Sequence, residues 1–216
     1  MEKFKTEPFI GGGALLFHIK PKKAVINDIN EELMNVYEVI KNSLDELLED
    51  LKNHKNESEY FYKIRAADRD KKEYAKLSNV EKASRILYLN KTCFNGLFRV
   101  NRSGEFNTPF GKYKKPNIVN ETILTNVSKF FNDNDIIFHN EDFKTILKKL
   151  ESDTFVYLDP PYDPISDTSS FTGYDKGGFD QKEQTRLKRA CDKLDKNGIK
   201  FLLSNSNTDF INDLYK

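Results

Sequence analysis

Tryptophan is absent from the 216 residues, and cysteine, methionine and proline are scarce at two, two and seven. Cys93 and Cys191 stand apart, without C-x-x-C spacing. They encode neither a disulfide framework nor a zinc site, and they suit a reducing cytosol. No apolar run approaches the ~18 residues that a membrane span needs. Met1-Glu2-Lys3-Phe4 lacks the positive-then-apolar order of a secretory signal. Net charge is nearly absent too, at +1 from 35 Lys and Arg against 34 Asp and Glu. Membrane, secreted and small metal-domain classes are thereby excluded, and a cytoplasmic location with no membrane partner is expected.

What is present is a chain long enough for one large domain, or for one domain carrying an insertion. Its charge is segregated. Residues 28–59 carry ten acids and three bases, a net of −7, whereas residues 60–115 carry fourteen bases and five acids, a net of +9. Between Lys91 and Lys115, six bases face Glu105 alone and interleave with Phe94, Phe98, Phe106, Phe110 and Tyr113. Most charge runs are solvated helical faces. This one is irregular, rich in Asn and Gly and not helical in period, and bases mixed with aromatics are what a phosphate-contacting, base-stacking surface needs, so nucleic acid is the expected partner.

Residues 4–10 read as a strand entering the Gly11-Gly12-Gly13 turn, followed by a helix over 14–19 and a short buried strand over 24–28. Apolar spacing predicts one long helix from Asn30 to about Leu51. Residues 55–90 are polar and helical, best over 80–89, and residues 91–117 read as loops with a hairpin. Strands follow at 136–139, 155–158 and 201–204, with helices over 143–150, 181–196 and 209–215. The pattern implies an α/β fold with a mostly parallel, doubly wound sheet. The sheet domain is expected over 1–53 and 129–216, with an insertion over 54–128.

Two segments carry chemistry. The glycine turn lies between a strand and a helix, where bare backbone admits a cofactor, and Asp28 ends the next strand where an acid can bond ribose hydroxyls. Leu16 replaces the third glycine of a dinucleotide fingerprint, so the choice between a nicotinamide dinucleotide and S-adenosylmethionine stays open. Asp159-Pro160-Pro161-Tyr162 follows the apolar strand 155–158, at a carboxyl end. Its prolines stiffen the loop and remove two donors. A carboxylate, a carbonyl and an aromatic ring there suit a flat base carrying an exocyclic amino group.

These segments, in order with Glu7-Pro8-Phe9-Ile10-Gly11-Gly12-Gly13, Asn27-Asp28-Ile29-Asn30, residues 89–101, residues 104–111 and Asp142-Phe143, resemble the Dam-type (D12 class) DNA adenine-N6 methyltransferases. The resemblance spans nearly the whole chain. It implies a Rossmann-like class I methyltransferase sheet with a mainly helical target-recognition insertion. It also implies that Glu7, Pro8, Phe9, Gly11, Gly12 and Gly13 hold the methionine end of S-adenosylmethionine. Asp28 would then hold the ribose, and Asp142 with Phe143 the adenine of the cofactor. Asp159 and the Pro160 carbonyl would accept from the target adenine's N6, with Pro161 shaping the loop and Tyr162 stacking on the flipped ring.

Phe94 resembles the aromatic wedge beside the extruded base, with Asn95 filling the vacated space. Leu97 would touch a thymine methyl and Arg99 would read guanine. Asn101, Pro109, Lys112 and Tyr113 lie where the family contacts DNA. The resemblance implies double-stranded DNA with a GATC site, no metal, and a restriction endonuclease acting on the same site as a companion. Members of that family usually carry a Lys-Trp-Ala-Gly-Gly-Lys-like motif ahead of the Glu-Pro-Phe segment and a terminal β-hairpin after the fifth strand. Here six residues precede Glu7 and the sequence stops at Lys216, so the resemblance implies truncation at both ends. A remnant that binds DNA without transferring methyl, and a cytosine-N4 enzyme, stay open as alternatives.

Overall fold

The structure, a computed structural model, describes residues 5–101, 103–165 and 178–216. In chain order these form β1 (Lys5–Glu7), α1 (Ala14–Ile19), β2 (Lys23–Asn27), α2 (Glu31–Asn42) and α3 (Leu44–Lys52). Next come α4 (Ser58–Ala66), α5 (Lys71–Tyr74), α6 (Asn79–Thr92) and α7 (Glu121–Asp133). The chain then continues with β3 (Asp135–His139), α8 (Phe143–Leu147), β4 (Phe155–Leu158), α9 (Gln181–Lys196), β5 (Lys200–Leu203) and α10 (Asp209–Leu214). Phe4 of the expected first strand lies outside the described residues.

The five strands form one sheet in the order β3-β2-β1-β4-β5, with every pairing parallel. Alternation decides which face is covered: in β4, Val156 and Leu158 are fully buried while Phe155 and Tyr157 are not. Val156 and Leu158 join Phe143 and Leu147 of α8 and Leu187, Ala190, Cys191 and Leu194 of α9 in one apolar cluster. Each such aliphatic side chain contributes roughly 1.5–3 kcal/mol by leaving water. Asp180 starts α9 by accepting from the Lys182 and Glu183 amides.

The chain separates into two compact units. The first holds the sheet, with described residues 5–30, 134–165 and 178–216, and the second is 31–133. The second unit therefore contains all of 54–128 and takes in 31–53 and 129–133 as well. Packing explains this grouping: α2 and α3 lay their apolar faces, including Met34, Tyr37, Ile40, Leu47 and Leu51, against α6 and α7. Tyr37 meets Phe131 of α7 edge to face at 5.8 Å. Helix α6 opens with a capping box in which Ser78 and Glu81 exchange side-chain and backbone bonds.

One expectation needs correction, and one element was not expected. The single helix over 30–51 is broken at Ser43 (φ −141°, ψ 43°). Asn42-Ser43 is a weak helical pair because both side chains compete for backbone groups, and the break re-aims Leu47, Leu48 and Leu51 inward. Helix α7 has no counterpart in the sequence-based expectation, although Leu124, Val127 and Phe131 recur at helical spacing.

A buried ion-paired hub organises the second unit. The Asp68 and Arg85 side chains are 8% and 5% exposed and meet at 2.8 Å. Asp68 also accepts from the Phe106 amide at 2.7 Å and from Arg69 at 2.9 Å, while Arg85 donates to the Ile64 and Arg65 carbonyls. Arg69 and Arg65 in turn donate to the carbonyls of Phe106 and Thr108. The loop over 97–110 is thereby tied to α4 and α6. Asp68→Ala leaves a buried guanidinium unpaired and is expected to cost about 3–5 kcal/mol in urea unfolding. A loss below about 1 kcal/mol, the size expected of an exposed pair, would contradict the hub.

Candidate functional site

A parallel sheet delivers all its carboxyl ends to one edge, and ligands in such folds sit where the strand order reverses. Here the chain runs outward from β1 to β2 and β3, then crosses back to β4 and β5, so the reversal lies between β1 and β4. Glu7 ends β1 and Asp159 follows β4, flanking that point. Glu7 is 5% exposed. Burial first, and then the negative Asp159, push its carboxyl up to about 7, with Lys5 opposing.

Beyond Glu7 the chain turns sharply through Gly11 (φ 48°) and Gly13 (φ 69°), a left-handed backbone that glycine adopts without penalty. A side chain at Gly11 or Gly12 would meet nothing within 4 Å, so open space borders the turn. Asp28 fixes it from β2: one carboxylate oxygen accepts from the Gly11 amide at 3.1 Å and the other from Asn30 at 3.0 Å. The Asn140 amide side chain donates to the Asp28 carbonyl at 2.8 Å. Buried Asn27 ties three strand ends together, donating to the Pro8 and Glu141 carbonyls and accepting from the Glu141 amide. The sequence names it within Asn27-Asp28-Ile29-Asn30 without giving it a role, yet an amide inside an apolar strand must find partners, which is a readable signal.

Phe9 and Phe143 form an aromatic wall beside this edge, with ring centroids 5.2 Å apart. Asp142 caps α8 through the Lys144 amide and makes a bidentate pair with Arg186 at 2.9 and 2.7 Å. Arg186 holds the Asp142 carboxyl below the usual carboxylate range. The guanidinium also lies 4.3 Å over the Phe143 ring. Nothing in the sequence points to Arg186, because the contact joins residues 44 positions apart on separate elements.

In the loop after β4, Asp159 is exposed, the Pro160 ring is buried, Pro161 is half-buried and Tyr162 is 51% exposed. The Tyr162 hydroxyl pairs with Ser204, at the carboxyl end of β5, and Gln184 donates to the Pro161 carbonyl at 2.9 Å. The sequence reading gives Ser204 no role, though it stands directly after a strand as Asp28 and Asp159 do. These residues all belong to the first unit.

The remaining expected residues fall in the second unit. Phe94, Leu97 and Tyr113 are 51%, 50% and 42% exposed, uncommon values for large apolar side chains. Asn95 (φ 53°) carries the chain between Phe94 and Leu97 in a short helical turn, and its amide donates to the Tyr113 hydroxyl at 3.1 Å. The Pro109 carbonyl accepts from the Phe94 amide, and Cys93 bridges Phe110 antiparallel. A Cβ on Gly111 would stand 2.7 Å from the Cys93 carbonyl oxygen, so only glycine allows this approach. Lys112, Lys114 and Lys115 are exposed beside it.

Two of the expected residues are tied to their own hairpin. Asn101 accepts from the Ser103 and Glu105 amides and donates to the Glu105 carboxylate at 2.7 Å. Arg99 donates to the Asn107 carbonyl at 3.3 Å, and its buried Nε has no protein partner. Among the described residues, no group of three or more His, Cys, Asp or Glu is placed to hold a metal ion, and no helix is long and apolar enough to cross a membrane.

A family model described as D12 class N6 adenine-specific DNA methyltransferase matches residues 3–216. The chain is 45% identical over 212 residues to a type II methyltransferase of Lactococcus lactis subsp. cremoris, covering 97% of this chain and 74% of that protein. It is 44% identical over 224 residues to a type II methyltransferase of Methanocaldococcus jannaschii, with 97% and 76% covered. A DNA adenine methylase of Escherichia coli (strain K12) is 31% identical over 216 residues, with 98% and 74% covered.

The raised Glu7 carboxyl has a consequence for stability. Its proton is held more tightly in the folded chain, so its contribution is complete below the ordinary 4.5 and is lost as pH rises through about 7. Thermal melts from about pH 5 to pH 8 should show Glu7→Gln gaining on the native chain as pH rises. A constant difference would mean that Glu7 titrates as an ordinary glutamate.

Proposed function

The chain belongs to the D12 class of N6 adenine-specific DNA methyltransferases, and on that premise we propose that the strand edge at Glu7 and Asp159 transfers methyl from S-adenosylmethionine to adenine N6 in GATC. The observation that carries this reading is the position of Asp159-Pro160-Pro161-Tyr162, at the carboxyl end of β4 where the strand order reverses. The glycine turn fits the cofactor: its backbone is left-handed, and the space beside Gly11 and Gly12 is open.

When bound, S-adenosylmethionine supplies an electrophilic methyl on a sulfonium sulfur. Phe9, Gly11, Gly12 and Gly13 border its methionine end, Asp28 its ribose, and Phe143 with Asp142 its adenine. Asp142 keeps acceptor capacity beyond the Arg186 pair, since a carboxylate offers about four lone-pair sites. Asp159 and the Pro160 carbonyl accept from the N6 amino group and aim its lone pair. Asp159 is the group positioned to receive the proton that N6 gives up. Tyr162 offers the ring face on which a flipped adenine stacks. Holding the reacting atoms in line is the main contribution expected of the protein.

Support for the DNA-reading role of the second unit is the exposed trio Phe94, Leu97 and Tyr113 among Lys112, Lys114 and Lys115. Phe94 wedges into the duplex, Asn95 fills the gap, Leu97 meets a thymine methyl and Arg99 reads guanine, while Asn101 and Pro109 hold the loop that presents them. A catalytic domain over 1–53 and 129–216, a recognition insertion over 54–128 and a cytoplasmic location belong to the same reading. Relatives named type II methyltransferases support a companion restriction endonuclease.

The test uses methyl-labelled S-adenosylmethionine with unmethylated duplexes carrying GATC or its permutations. Nucleoside analysis should find the label on adenine N6 in GATC alone. Label on cytosine, or on adenine regardless of sequence, would contradict the reading. Arg99→Ala should lower discrimination at one guanine by about 1–3 kcal/mol. An equal loss on every duplex would instead make Arg99 a phosphate contact.

A further inference from the structure

We propose that the turn after β5, Ser204-Asn205, acts with Gln184 of α9 as a positioning device that fixes the angle of the Tyr162 ring over the target base; this rests on the function proposed above. Tyr162 is half exposed, so packing alone leaves its side-chain torsions poorly fixed. The hydrogen bonds around it supply the missing constraint. The Tyr162 hydroxyl pairs with the Ser204 hydroxyl. Ser204 is itself registered against β4, because its amide donates to the Leu158 carbonyl at 2.9 Å.

The backbone on both sides of Tyr162 is held from the same direction. On one side, the fully buried Gln184 donates to the Pro161 carbonyl at 2.9 Å and accepts from the Asn205 side chain at 2.9 Å. On the other, the Asp163 amide donates to Asn205 at 3.3 Å and the Asp163 carbonyl accepts from the Ser206 hydroxyl at 2.7 Å. The buried Asp163 carboxylate accepts from the Thr208 hydroxyl at 2.7 Å, and Thr208 caps α10. The loop thus enters through two prolines with fixed φ and leaves through a clamped Asp163. The phenol is anchored at its far end. Base stacking depends on ring orientation, so Ser204 influences transfer through Tyr162 without touching the substrate.

A double-mutant cycle tests this in the full chain. Single-turnover methylation of a GATC duplex is measured for Ser204→Ala, Tyr162→Phe and the pair, alongside S-adenosylmethionine affinity by equilibrium dialysis. Ser204 also acts on the Tyr157 phenol, whose pKa burial raises and Ser204 lowers, and the cycle separates that path from the Tyr162 path. Ser204→Ala is expected to slow transfer about fivefold, one hydrogen bond's worth, with cofactor affinity unchanged. Tyr162→Phe should slow it similarly, the pair no further than either alone, and Ser204→Thr should restore the rate. Multiplying losses in the pair, or a matching fall in cofactor affinity, would overturn the positioning role. A native chain that methylates no adenine would overturn the underlying function and this role with it.

Discussion

Everything proposed for the catalytic edge depends on the sheet being parallel throughout and reversing its order at β1. Parallel strands place every carboxyl end on one edge, and the reversal sends the two crossover connections apart, leaving a crevice between β1 and β4. Two carboxylates, the buried Glu7 and the exposed Asp159, therefore become neighbours. Desolvation and like-charge repulsion leave Glu7 holding its proton near neutrality. The shift at Glu7 is thus a consequence of the same fold feature that brings the strand ends together. The asparagines Asn27 and Asn140 stitch the strand ends together without adding charge.

The second unit meets the opposite requirement. It shows large apolar side chains to solvent and still holds them in one arrangement. Phe94, Leu97 and Tyr113 bury too little surface to order themselves, so their loop is held by its backbone instead. The Asp68–Arg85 pair, with Arg65 and Arg69, takes up the polar groups of residues 106–108. Gly111 lets the returning strand close on Cys93. A buried ion pair is a weak source of stability when compared with an apolar replacement. Here its value lies in the geometry that it imposes on the loop.

Much of this was legible in the sequence because the signals are local. Strand edges, the glycine turn, Asp28 and the Asp159–Tyr162 loop all follow from alternation, breakers and the strand-end rule. The resemblance to a family then assigned roles that alternation cannot assign. The break at Ser43 was missed because hydrophobic spacing runs through it unbroken, and only the weak pair Asn42-Ser43 marks it. Arg186, Gln184 and the partners of Asp68 were invisible for another reason. They act through contacts between separate elements, Arg186 with Asp142 across 44 residues, Gln184 with Pro161 across 23 and Phe106 with Asp68 across 38. Polar residues of α9 that read as merely solvated in sequence turn out to hold the site's supports, Gln184 from the buried side and Arg186 through Asp142.

The proposed seat of S-adenosylmethionine is the edge where the strand order reverses. Hydrogen exchange of the full chain, with and without S-adenosylhomocysteine, tests it directly, since ligand contact slows the amides it covers. Protection is expected at residues 9–13, 28–30 and 140–143, which come together only in the folded sheet. Protection confined to other segments, or none at these three, would contradict the account.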